Sequence, residues 1–89
     1  MQLILYSKPG CHLCERLQKK LEQIQTININ LEIRDITTRE DWFEAYQYEV
    51  PTLYQRWEDT ETIIPRPSPR ISVARLEQVL QKYISEKRG

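Results

Sequence analysis

The chain has 89 residues, 39% of them apolar, with 13 Lys plus Arg balancing 13 Asp plus Glu for a formal charge of zero. Domains average roughly 100–150 residues, so one small domain over 1–89 with a modest core is expected. Zero net charge supplies no broad basic field for gripping nucleic acid or anionic lipid, and no run approaches the roughly 18 apolar residues of a membrane span, so neither is expected as a partner.

Met1-Gln2-Leu3-Ile4-Leu5-Tyr6 has no basic leader, and its apolar stretch is too short for a secretory signal, which points to the cytoplasm. Within it, Leu3-Ile4-Leu5-Tyr6 is an unbroken apolar run of the kind found in a strand buried on both faces. Ser7-Lys8-Pro9-Gly10 then breaks the run with turn residues. From Cys11 to about Gln25, Leu13, Leu17, Leu21 and Ile24 recur at helical spacing opposite Lys19, Lys20, Glu22 and Gln23, which predicts an amphipathic helix. Ile27, Ile29, Leu31 and Ile33 alternate with polar residues and predict a second strand with one apolar face, ending near Asp35-Ile36.

Thr37 or Thr38 is expected to cap a second helix with Glu40 and Asp41 in its first turn and with Trp42, Phe43 and Tyr46 as its buried side. After the break at Tyr48-Glu49-Val50-Pro51, Thr52 to Trp57 reads as a strand. Glu58-Asp59-Thr60 reads as a turn and Glu61 to Ile64 as a return strand, although the turn lacks Gly. Pro65, Pro67 and Pro69 exclude regular structure. Ser72 is placed to cap a last helix whose stripe is Val73, Leu76, Val79, Leu80, Tyr83 and Ile84, followed by a charged, frayed tail over 85–89. The expected order is β-α-β-α-β-β-α, an α/β arrangement that starts with a right-handed βαβ unit and adds an antiparallel hairpin.

The chemistry sits in Cys11-His12-Leu13-Cys14, the only two cysteines of the chain, placed where the first strand turns into the first helix. A cysteine at a helix N-terminus faces unpaired backbone N–H groups and the positive dipole end, and both favour thiolate over thiol. Lys8 is expected to add positive charge, and His12 to tune the pair if it points at Cys11. Cys14 lies less than one turn further on, within reach of Cys11, and is expected to be deeper and less acidic. A redox pair follows, in which Cys11 attacks a substrate disulfide and Cys14 resolves the mixed disulfide.

Two small buried hydrophobes conflict with the turn at Pro9-Gly10. Zinc or an iron–sulfur cluster wants four ligands, so two thiols and His12 would need a dimer or an outside ligand. The alternative function is therefore a non-enzymatic module that binds a metal or cluster across a dimer or docks a protein. No metal is expected in the redox reading.

Tyr6-Ser7-Lys8-Pro9-Gly10-Cys11-His12-Leu13-Cys14 resembles the active-site segment of glutaredoxins, Glu32-Ile33-Arg34-Asp35-Ile36 resembles their second strand, and Val50-Pro51 before an apolar strand resembles their cis-proline segment. The Cys-His-Leu-Cys motif and short length are closest to small glutaredoxin-like proteins. The resemblance implies a thioredoxin fold with a four-stranded mixed sheet between helices, a nucleophile at Cys11 and a resolving thiol at Cys14. It also implies a cis Pro51 beside the pair, with the Val50 backbone open to an extended substrate.

The implied protein is a monomeric thiol–disulfide oxidoreductase of cell redox homeostasis and electron transport. It would act on protein or small-molecule disulfides and be recharged by a thioredoxin- or glutathione-type reductant, with no bound cofactor. Two departures disfavour glutathione. Glu49 stands where the family has Thr, and Ile71-Ser72 with Ala74-Arg75 replace a Gly-Gly pair and two acidic residues. Arg66, Arg70 and Arg75 surround the start of the last helix. They are read mainly as balancing Glu58, Asp59 and Glu61, with Arg70 the candidate for an anionic group of a substrate. Trp42, Phe43 and Tyr46 are read as core rather than a base-stacking platform, and Tyr6 and Tyr48 as packing residues that could flank the cysteines.

Overall fold

Leu3, Ile4, Leu5 and Tyr6 of strand β1 (Gln2–Ser7) are 0, 0, 0 and 4% exposed in this computed structural model, which describes residues 1–88, with side chains through residue 84. Strand alternation sends Leu3 and Leu5 to one face and Ile4 and Tyr6 to the other. The first face packs against Leu17 and Leu21 of α1 (His12–Glu22) and Leu76 and Leu80 of α3 (Val73–Arg88). The second is covered by Ile36 of a 3-10 turn (Ile36–Thr38) and by Trp42 and Tyr46 of α2 (Glu40–Tyr46). Burial on both sides is what an unbroken apolar run requires.

The sheet has the order β2-β1-β3-β4, with β2 at Asn30–Asp35, β3 at Thr52–Trp57 and β4 at Thr60–Ile64. β1 runs parallel to β2 and antiparallel to β3, and β3 pairs antiparallel with β4. Chain order therefore follows the expected β-α-β-α-β-β-α pattern, with one added 3-10 turn. No helix among the described residues is long and apolar enough to cross a membrane.

Several local expectations are corrected. β2 starts at Asn30 rather than Ile27 because Asn30 pairs with Gln2, the first residue of β1, and earlier residues have no β1 residue to meet. Ile27 is buried all the same, in the connection beneath α1, whereas Ile33 on the edge strand is 40% exposed.

The threonines do not cap α2. The Oδ1 of Asp35 accepts the Thr37 N–H (2.9 Å) and hydroxyl (2.6 Å), the Thr38 hydroxyl donates to the Asp35 carbonyl (2.7 Å), and α2 starts after Arg39 without a side-chain cap. Those bonds favour the charged carboxylate and hold Asp35 below the usual range. Phe43 is 40% exposed rather than core, because Trp42 and Tyr46 share a face four residues apart and Phe43 lies about 100° round the helix.

The hairpin turn is shorter than expected, since Thr60 pairs with Trp57 and leaves only Glu58-Asp59 between the strands. Glu58 takes the left-handed region, φ 55°. In α3 the Oγ of Ser72 accepts the Arg75 N–H (3.1 Å), the expected cap. The charged tail expected over 85–89 falls on residues whose side chains, and for Gly89 the backbone as well, lie outside the described residues.

Glu58→Gly removes the cost of a left-handed side chain, about 1 kcal/mol, and is expected to raise Tm by about 4–8 °C in calorimetry. Ser72→Ala leaves the Arg75 N–H unpaired and is expected to cost about 1 kcal/mol in urea unfolding, with the m-value unchanged.

Candidate functional site

The turn after β1 sets the position of the first cysteine. Gly10 has φ +78°, a region that favours glycine, and an added Cβ would meet nothing within 4 Å, so conformation rather than space selects the residue. The Cys11 N–H closes the turn on the Lys8 carbonyl at 3.3 Å. Cys11 is the N-cap of α1, with extended backbone, and its Sγ accepts the Cys14 N–H at 3.2 Å. The sulfur thus holds the place of a capping oxygen and takes one of the free N–H groups of the helix end.

Cys14 is 1% exposed and Cys11 half-buried, so the two sulfurs differ in access as expected. They are joined as a disulfide with Cα atoms 5.3 Å apart. The Cys11 sulfur thus lies at the positive end of α1, and Cys14 is enclosed behind it.

The Val50–Pro51 peptide is cis. Pro51 is buried and shares a groove with Leu13 of the Cys11–Cys14 segment, and Val50 packs half-buried against the cluster of Ile4, Tyr6 and Ile36. The segment is fastened by Arg66, whose Nε donates to the Pro51 carbonyl (3.1 Å) and whose Nη2 donates to the Glu49 carbonyl.

Sequence reasoning missed this role and assigned Arg66 to charge balance. Instead Glu61 meets Arg34, at 3.6 Å. The available signal was position: Pro65 and Pro67 flank Arg66 and hold the chain extended there.

The remaining candidates fall in different places. Lys8 Nζ donates to the Gln47 carbonyl (3.3 Å), which ties the turn before Cys11 to the end of α2. The His12 side chain is 88% exposed with Nδ1 3.9 Å from Glu15 Oε2, and among the described residues it makes no hydrogen bond to Cys11. Arg70 is exposed and lies outside the groove beside Pro51, with its N–H on the Ser68 hydroxyl (3.2 Å). Tyr6 stacks on Tyr46 at a centroid distance of 4.1 Å and accepts from Arg34 (2.7 Å), whereas Tyr48 is 91% exposed. Burial and the contact with the Tyr54 hydroxyl push the Tyr46 phenol well above its ordinary range. Among the described residues no three His, Cys, Asp or Glu side chains converge as a metal ion would need.

The family model described as Glutaredoxin-like domain (DUF836) matches residues 2–81. No curated protein matches the chain. Among solved structures, thioredoxin 1 from the thermophilic eubacterium Thermosipho africanus TCF52B superposes with a TM-score of 0.69 at 16% identity over the whole of both chains. The structural genomics target protein XcR50 from X. campestris gives 0.62 at 25% identity, covering 90% of this chain and 96% of its own. A malarial protein gives 0.63 at 16% identity, covering 91% and 93%. These likenesses show the thioredoxin fold, a mixed four-stranded sheet flanked by helices. With the thioredoxin fold, a family match spanning nearly the whole chain and a Cys11–Cys14 pair that fits a thiol redox role, the chain belongs to the glutaredoxin-like domain family.

Proposed function

We propose that the chain is a dithiol thiol–disulfide oxidoreductase. The observation that carries the reading is the Cys11 sulfur at the mouth of α1, accepting the Cys14 N–H, with Cys14 buried behind it. In the reduced state the Cys11 thiolate attacks one sulfur of a substrate disulfide. The substrate S–S bond breaks, its other sulfur leaves as thiolate and takes a proton from solvent, and a Cys11–substrate disulfide forms. Cys14 then gives up its proton and attacks the Cys11 sulfur, which expels the second substrate thiol and closes the Cys11–Cys14 disulfide. Two electrons pass from the protein dithiol to the substrate.

Substrates are protein or small-molecule disulfides, and a thioredoxin- or glutathione-type reductant restores the dithiol. Val50 precedes β3 and lies outside its ladder, so its backbone is suited to pairing with an extended substrate chain beside Cys11. Lys8 adds positive charge to the turn preceding Cys11. Glu49 next to that position supports the weaker use of glutathione, whose carboxylates it would repel.

The test is alkylation of the reduced protein against pH, with Cys11 expected to react with a midpoint below the roughly 8.5 of a free thiol. An ordinary midpoint would overturn the reading. Cys11→Ser is expected to abolish reduction of a small disulfide. Cys14→Ser is expected to accumulate a mixed disulfide on Cys11, seen as a mass adduct. Glu49→Thr is expected to speed turnover with glutathione severalfold, as followed by a coupled assay, and an unchanged rate would remove the charge argument.

A further inference from the structure

A groove lies between α1 and the loop before α3, and Leu13, which sits between the two cysteines in the chain, is one of its lining residues. Its apolar lining includes Leu13, Leu17, Pro51 and Ile71. Leu13, Leu17, Arg16 and Lys20 fall at helical spacings of three and four, so they form one stripe leading away from the cysteines. Leu13 is 42% exposed inside the Cys11–Cys14 segment, so the groove has an open apolar side at the residue between the two cysteines.

The charges of the groove are one-sided. Arg16, Lys20 and Arg66 line it and, among the described residues, no acidic side chain does, although acids and bases are equal in number over the whole chain. None of the three forms an ion pair among the described residues. Lys20 donates to the Pro69 carbonyl (2.8 Å) and Arg66 to the Pro51 and Glu49 carbonyls, so both are held in place with their charge uncancelled. Arg16 is exposed and has no hydrogen-bond partner among the described residues. Glu49 lies on the other side of Arg66, in an adjoining hollow with Leu53 and Ile63.

We infer that this groove receives an extended, acidic segment of a protein substrate, next to the substrate cysteine that reacts with Cys11. The inference rests on the proposed redox function and names its substrate class. At 1.5 Å per helical residue, Arg16 and Lys20 lie about 7 and 13 Å along α1 from Cys11, which an extended chain covers in roughly two and four residues. Residues two and four places from the reacting cysteine project on the same side of an extended chain, so acids at both can face the two cations while the apolar lining meets the remainder. Glutathione suits the groove less well, because its free ammonium group finds no carboxylate there.

The experiment measures the second-order rate at which symmetric peptide disulfides oxidise the reduced full-length protein to its Cys11–Cys14 disulfide, by acid quench and mass spectrometry. The peptides are Cys-Gly-Asp-Gly-Asp, its Asn and Lys counterparts, and the reversed sequences. Oxidised glutathione is a separate arm, and every rate is normalised to that of dithiothreitol with the same disulfide. The Asp peptide, in one of its two directions, is expected to react about fivefold faster than the Asn peptide, and the ratio is expected to fall towards one at about 0.5 M salt. Arg16→Glu alone is expected to lower the Asp preference, and Arg16→Glu combined with Lys20→Glu, which leaves two acids against Arg66, is expected to invert the order so that the Lys peptide reacts fastest. This inversion also shows that the variant is folded.

Equal normalised rates for Asp and Asn peptides in both directions would overturn the inference and leave the redox reading standing. An order and ratio unchanged in the variant carrying both Arg16→Glu and Lys20→Glu would do the same, as would oxidised glutathione outpacing the Asp peptide. If no disulfide oxidises the pair, the redox reading falls and the inference falls with it.

Discussion

The free N–H groups at the start of α1 are the constraint on which the site depends. A helix end needs an acceptor there, and a Ser, Thr or Asp oxygen usually supplies it. Here the Cys11 sulfur does so by accepting the Cys14 N–H. One hydrogen bond therefore both caps the helix and places the sulfur at its positive end. The positive helix end that makes the cap favourable also favours negative charge on the capping atom. The placement is enforced from behind, because β1 is buried on both faces and the turn through Gly10 leads directly from its end into the cap.

The other wall of the site is held by cations that bond to backbone oxygens. Arg66 fastens the Glu49 and Pro51 carbonyls, Lys20 reaches Pro69, and Lys8 reaches Gln47. A carboxylate partner would have neutralised each charge, but a carbonyl orders the side chain and leaves its full charge in place. Loop geometry and local electrostatics are thereby set by the same contacts. A chain of zero net charge can carry a basic groove because the Arg ion pairs among the described residues lie elsewhere, at Arg34 with Glu32 and Glu61 and at Arg39 with Asp41.

Much of the layout was legible because it rests on local chemistry. The doubly buried β1, the Cys11 start of α1, the Ser72 cap and the element order each follow from periodicity or capping within a few residues. The errors occur where a distant partner decides. β2 begins at Asn30 because β1 begins at Gln2, and Ile33 is exposed because β2 is an edge. Thr37 and Thr38 carry the composition of a helix cap, but Asp35 takes both into a 3-10 turn before α2 can use them.

Composition, spacing and turn chemistry determined by themselves that this chain places two cysteines, one shallower and one deeper, at the entrance to a helix that follows a buried strand. The tertiary structure alone decided which cations reach the cis-proline segment and where uncancelled charge collects. Arg66 is 15 residues from its Pro51 partner and Lys20 is 49 from Pro69. Contacts across such separations leave no periodic trace in the chain, because they depend on how helix and loop come together over the sheet and not on the neighbours of either residue.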